Sequence, residues 1–200
     1  MPGISFEQFF RSHDFTRDKF LSRFFGIFSE EIVRIWCKCP KSPYEDLGRP
    51  TLKRPEEKRG RTLDFTFRSK QDGRIYVGEL KCELEFENYR YLALTSPSQL
   101  DHHTGEAFRW FLAIAKDPRQ YTVTVKGSSI SVSGAVLVWG SITSEGRKTV
   151  MNTTGLADVL SLEQIITDLL IWDNQDYSKF MERRATWCQE LFSLVGRKPT

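Results

Sequence analysis

Two segments decide the fold. The first is Arg61-Thr62-Leu63-Asp64-Phe65-Thr66-Phe67-Arg68. After a turn at Asp72-Gly73 comes the second, Arg74-Ile75-Tyr76-Val77-Gly78-Glu79-Leu80-Lys81-Cys82-Glu83. The first alternates apolar and polar residues, the period of a strand with two distinct faces, and the second reads as the returning strand. Asp-Gly between two such runs is a strong hairpin signal. A two-residue turn sets Gln71 against Arg74. It then places Asp64 opposite Lys81, Thr66 opposite Glu79, Leu63 opposite Cys82, Phe65 opposite Leu80 and Phe67 opposite Gly78. One face is then apolar, and the other carries Asp64, Glu79 and Lys81 together. A slip of one residue would mix the faces, so the apolar pattern itself supports the pairing.

Two carboxylates a few ångströms apart repel each other, and either bind a hard cation or share a proton. A neighbouring lysine offsets part of that charge, or orients and activates a water. These groups suffice to hydrolyse a phosphodiester: the cation neutralises charge developing on the phosphoryl oxygens, and the ammonium holds the nucleophile or stabilises the transition state. The plainer alternative is an exposed ladder of cross-strand ion pairs, each worth on the order of a few tenths of a kcal/mol. Glu83, Glu85 and Glu87 continue the alternation as such a ladder would. Against it, Val77-Gly78 and Leu80 suggest a central strand with little free surface for charges.

Outward from the hairpin, the first 38 residues read as helix. Phe20, Leu21, Phe24, Phe25, Phe28, Ile32, Ile35 and Trp36 share one broad face; Gly26 loosens the middle and Pro40 ends it. Pro and Gly then punctuate the chain to Gly60. Arg49, Lys53, Arg54, Lys58, Arg59 and Arg61 stand there against Glu56 and Glu57, a balance of +4 on a stretch that reads as a mobile basic loop. After the hairpin, Ser96-Pro97-Ser98-Gln99 opens a helix with a capping pattern. That helix runs to Asp117-Pro118, with Leu100, His103, Ala107, Trp110, Phe111 and Ile114 inward. Tyr121 to Lys126 and Ile130 to Ser141 read as strands, and Ser161 to Trp172 and Tyr177 to Leu194 as helices. The order implies one mixed α/β domain over residues 1–200, with a sheet of four to five strands flanked by helices. Its core spans about residues 20–140, and a helical extension about 155–196.

Two hundred residues, 40% apolar and 28% charged, exclude a disordered chain. The longest apolar run, Trp110 to Ala115, is far too short for a bilayer span. Met1 to Glu7 offers no basic start, apolar stretch or cleavage site, so no secretory signal is expected. Cys37, Cys39, Cys82 and Cys188 form neither a disulfide framework nor two close ligand pairs for zinc; thiols in a reducing cytosol are the expectation. The net charge of +3 does not by itself imply a nucleic-acid partner. No GxSxG, GxxxxGK[ST] or GxGxxG motif occurs.

Asp64, followed on the return strand by Glu79-Leu80-Lys81, resembles the signature of the PD-(D/E)XK nuclease superfamily. The resemblance covers about residues 20–140, and departs at Leu63, which stands where the eponymous proline would be. It implies a restriction-endonuclease-like core of helix, three strands, helix and strand. It also implies that Asp64 and Glu79 ligate Mg²⁺, for which Mn²⁺ can substitute, and that Lys81 is the catalytic lysine. The family often adds a glutamate from the first core helix, here Glu30 or Glu31. Glu31 lies within the apolar arc and is favoured, while Glu30 projects about 100° away. Gln99 resembles an accessory position of some exonuclease-like members, though a capping role is the better reading. His103 reads as a core histidine.

The expectation is an intracellular, metal-dependent DNA endonuclease of restriction, repair or resolvase type, with the basic loop steering the phosphate backbone and room for a homodimer. Two alternatives stay open. One is a nucleic-acid-binding or assembly module with a vestigial site; the other is a protein-interaction domain that docks through its aromatic first helix.

Overall fold

A computed structural model describes residues 5–82 and 84–196. Met1 to Ile4 and Glu83, on which the signal-peptide reading and the end of the return strand bear, lie outside the described residues. The chain begins with three helices, α1 (Phe6–Phe10), α2 (Phe15–Gly26) and α3 (Ser29–Lys38), then three short strands, β1 (Tyr44–Asp46), β2 (Pro50–Lys53) and β3 (Arg61–Thr62). The hairpin strands are β4 (Phe65–Ser69) and β5 (Ile75–Lys81). After them come a single turn α4 (Phe86–Tyr89), β6 (Ala93–Leu94), α5 (Glu106–Lys116), β7 (Thr122–Val125), β8 (Ser128–Ile130), β9 (Ala135–Trp139) and β10 (Ser141–Ile142). The chain closes with α6 (Ser144–Thr154), β11 (Asp158–Ser161), α7 (Leu162–Ile171) and α8 (Gln175–Val195).

The expected mixed α/β class holds: the central sheet has five strands in the order β1-β4-β5-β9-β11. β1, β4 and β5 run antiparallel, while β9 is parallel to both β5 and β11. Both faces are covered. Phe65, Phe67, Tyr76, Val136 and Val138 pack with Ile32, Val33 and Trp36 of α3 and Ile165, Ile166 and Leu169 of α7. On the other side Val77, Ala135, Leu137 and Trp139 meet Phe108, Phe111 and Ile114 of α5 and Val150 of α6. A second, antiparallel sheet, β3-β2-β7-β8, packs Leu52 and Val123 against this same cluster.

The hairpin forms two residues out of the expected register. Phe65 pairs with Gly78, Thr66 with Val77, Phe67 with Tyr76 and Arg68 with Ile75. Its loop is Lys70 to Gly73, four residues rather than two, closed by Ser69 N–H to Arg74 C=O at 2.8 Å. Gly73, at φ 73°, takes the left-handed position that only glycine adopts without cost, and its N–H reaches Ser69 C=O at 2.9 Å. A shift of two preserves the faces, because side chains alternate with period two. Asp64 therefore belongs opposite Glu79, not Lys81, and remains on the face with both. Gly78 lies beneath the Phe67 ring and beside Phe65 Cβ: a Cβ there would collide with the Phe67 ring.

Other expectations are corrected. The amino-terminal helix is three helices, because the chain breaks at His13, φ 72°, and again between Gly26 and Phe28. Leu63 is buried with the α5 cluster rather than with Phe65, since the chain bends between β3, in the second sheet, and β4. The basic stretch is not a free loop: β2 and β3 pair in it, and Leu52 is fully buried. Ser96 does cap a helical segment, with the full capping box, but that segment is a short 3₁₀ turn, Pro97–Leu100, and α5 starts only at Glu106. His103 falls between the two. The segment expected as a helical extension opens with a strand, β11, in the central sheet.

Candidate active site

Asp64 sits just before β4, where the ladder with β5 ends. In place of a backbone pairing, its Oδ2 accepts the Leu80 N–H at 2.9 Å. The carboxylate thus caps the end of the ladder and is fixed in position by a backbone donor. Its Oδ1 accepts from Arg49 at 3.1 Å, and its main-chain oxygen from Arg34, also at 3.1 Å. Arg34 pairs with Glu30 at 3.1 Å, lies 3.7 Å from Asp46 and covers the Phe65 ring. Asp46 accepts in turn from the N–H groups of Gly48 and Thr66.

Glu79, on the central strand, has a side chain only 9% exposed. Lys81 Nζ donates to its Oε1 at 2.8 Å, whereas Oε2 is buried with no donor on it among the described residues. Burial first, then the negative charge of Asp64, push this carboxyl from its ordinary 4.5 up to about 7, against the pull of Lys81. The Lys81 ammonium also lies 5.5 Å from the centre of the Phe108 ring of α5. Beyond Phe108 stands His103, which burial, His102 and Lys81 push down to about 3, so that it is neutral at pH 7. An exposed ion-pair ladder does not describe this face: it is a floor of buried Thr66 and Val77, roofed by α5, with the charges gathered at one end.

Asp64, Glu79 and Lys81 are brought together; Glu31 and Gln99 are not. Glu31 faces α8 and pairs with Arg184. Glu30 is the glutamate turned toward Asp64, and Arg49 bridges the two, 3.5 Å from Glu30 Oε1. The sequence reading missed this because it ran one helical wheel through Gly26, whereas α3 starts afresh at Ser29. The Glu30 to Arg34 spacing, one helical turn, was the available signal. Gln99 is consumed locally: its Oε1 accepts from Thr95 and Ser96 N–H at 2.7 and 2.9 Å, and its Nε2 donates to Ala93 C=O at 3.0 Å. This is the capping role.

The basic residues divide. Arg49 is at the site. Arg54 donates to the Tyr121 hydroxyl at 2.7 Å and stacks on Trp110 and Tyr121, and Arg61 pairs with Glu106 and reaches Trp110, so both brace the second sheet against α5. Lys53, Lys58 and Arg59 are exposed.

Among the described residues no group of three or more His, Cys, Asp or Glu is gathered at metal-binding distance. A magnesium ion is commonly held by only one or two carboxylates, with water and phosphate completing the shell. The pair Asp64 and Glu79 fits that pattern: hard oxygen donors, one of which, Glu79 Oε2, has no donor on it among the described residues. Among the described residues no helix is long and apolar enough to cross a membrane. Comparison of the chain with protein-family models, with curated proteins and with solved structures finds no match.

Proposed function

We propose that the protein is a Mg²⁺-dependent deoxyribonuclease that hydrolyses phosphodiester bonds at the Asp64–Glu79–Lys81 cluster. The observation that carries this reading is the Glu79 carboxylate, buried beside Asp64 with one oxygen bound to Lys81 and the other with no donor on it among the described residues. A buried carboxylate in that state is costly to keep ionised, and a site that held no cation would be more stable without it. Further support comes from the elements of the central sheet and its helices: with β2, β3, α4, β6, β7 and β8 set aside, α3, β1, β4, β5, α5 and β9 follow in the order helix, three strands, helix and strand that the PD-(D/E)XK resemblance implies.

Asp64 and Glu79 would hold Mg²⁺, or Mn²⁺ in its place, which when bound neutralises phosphoryl charge and acidifies water. The chain's own groups do the rest. Leu80 N–H fixes the Asp64 carboxylate, so its aim does not depend on a flexible side chain alone. Lys81, held by Glu79 and packed over Phe108, presents its ammonium where it orients a water or donates a proton to the leaving oxygen. The cover of α5 excludes bulk water from the floor and strengthens each of these interactions. Lys53, Lys58 and Arg59 supply positive charge for the DNA backbone.

The test is cleavage of DNA in Mg²⁺ by the parent, Asp64→Ala, Glu79→Ala and Lys81→Ala. The carboxylate variants should lose metal uptake and cleavage together. Lys81→Ala should keep Mn²⁺ binding and lose most of the rate, by about a hundredfold or more. Cleavage by Lys81→Ala at the parental rate would refute the assignment.

A further inference from the structure

Two arginines lie beside Asp64, and they are held differently. Arg34 has Glu30, the Asp64 main-chain oxygen, Asp46 and the Phe65 ring about it, and its side chain is 29% exposed. None of these contacts is with the Asp64 or Glu79 carboxylate. Arg49 has two anchors, both carboxylate oxygens: Asp64 Oδ1 at 3.1 Å and Glu30 Oε1 at 3.5 Å. Its side chain is 55% exposed, and it springs from the connection between β1 and β2, directly after Gly48 at φ 115°. Arg34 is built in, whereas Arg49 is poised to leave.

Formal charges do not quite balance around them. Glu30, Asp46, Asp64 and Glu79 stand against Arg34, Arg49 and Lys81, one carboxylate in excess. A divalent cation on Asp64 would lie beside the Arg49 guanidinium, and like charges that close repel even where water partly screens them. Cation and guanidinium therefore compete for one carboxylate. The planar fork of N–H donors that suits a carboxylate suits a phosphate equally well.

We propose that Arg49 is a built-in counter-ion that holds Asp64 and Glu30 at rest, is displaced when a divalent cation takes Asp64, and is thereby released to pair with the phosphodiester at that site. The proposal rests on Asp64 and Glu79 being cation ligands.

Mn²⁺ titrated into the protein without nucleic acid, followed by calorimetry and by the paramagnetic resonance of free Mn²⁺, tests the displacement. Arg49→Ala should bind Mn²⁺ about tenfold more tightly than the parent, since one charge-assisted contact no longer has to be broken. Arg49→Lys, which keeps the charge without the fork, should fall between. Equal or weaker Mn²⁺ binding by Arg49→Ala overturns the displacement. In Ca²⁺, without turnover, Arg49→Ala should bind duplex DNA several-fold more weakly; unchanged DNA affinity overturns the release to phosphate. Mn²⁺ uptake by neither the parent nor Arg49→Ala would instead overturn the cation reading of Asp64 and Glu79, and this proposal with it.

Discussion

Replacing Glu79 by Gln removes a charge that the fold resists, and the effect on stability has a sign and a size. The Glu79 carboxyl is raised from 4.5 to about 7, so between those values the folded chain holds a proton that the unfolded chain has released. Stability contributed at this position is therefore greatest below pH 4.5, falls as pH climbs, and reaches its low plateau above pH 7. A rise of that size corresponds to about 3 kcal/mol. Gln mimics the protonated carboxyl at every pH. At pH 8 Glu79→Gln should then be about 3 kcal/mol more stable than the metal-free parent, roughly 6–12 °C in melting temperature for a chain of this length. Near pH 4.5 the two should nearly coincide. Urea denaturation of both proteins in chelator at pH 4.5 and pH 8 measures the difference. A gap that is the same at the two pH values, or a variant less stable than the parent at pH 8, would refute the reasoning that burial and Asp64 oppose the charge.

Exchanging Lys58 and Arg59 together for Ala should lower the dependence of DNA affinity on salt by roughly 2 in the log–log slope, if each contacts one phosphate; a filter-binding series against salt reads it. Arg54→Ala, by contrast, should lower the melting temperature, because Tyr121 and Trp110 lose the guanidinium between them. Glu30→Gln should weaken Mg²⁺-dependent cleavage while Glu31→Gln leaves it unchanged, a comparison of initial rates that separates the two sides of α3. Gly78→Ala should cost about 1–3 kcal/mol in urea, because the new methyl meets the Phe67 ring and nothing nearby gives way without moving the sheet.

The composition of the site face was legible because it depends on parity alone. Asp64, Glu79 and Lys81 share a face under either register, so mistaking the four-residue loop for a two-residue turn changed their pairing and not their company. Loop length was not legible, because Asp72-Gly73 marks where the left-handed residue falls and not how many residues precede it. β1, β2 and β3 are two to four residues long and lie in a stretch broken by proline and glycine, where no period can establish itself. They are strands through their tertiary pairing. Glu30 and Glu31 were misjudged for a related reason. A helical wheel reports which side of one helix a residue occupies, and the neighbours on each side, Arg49 and Arg184, come from distant parts of the chain.

The carboxylates and the lysine lie within one local hairpin, and this bears on how the chain assembles. β4 and β5 meet by closing a four-residue loop, a contact of low entropic cost, whereas β5 finds β9 only after the whole stretch from Cys82 to Gly134 has been drawn in. In that order the like charges come together while the hairpin is still hydrated and water shields their repulsion. Their antagonism becomes strong only when α5 and β9 dock and drive that water out. The company these side chains keep is thus set by a local contact, and the resistance to it is concentrated in the packing of α5 and β9.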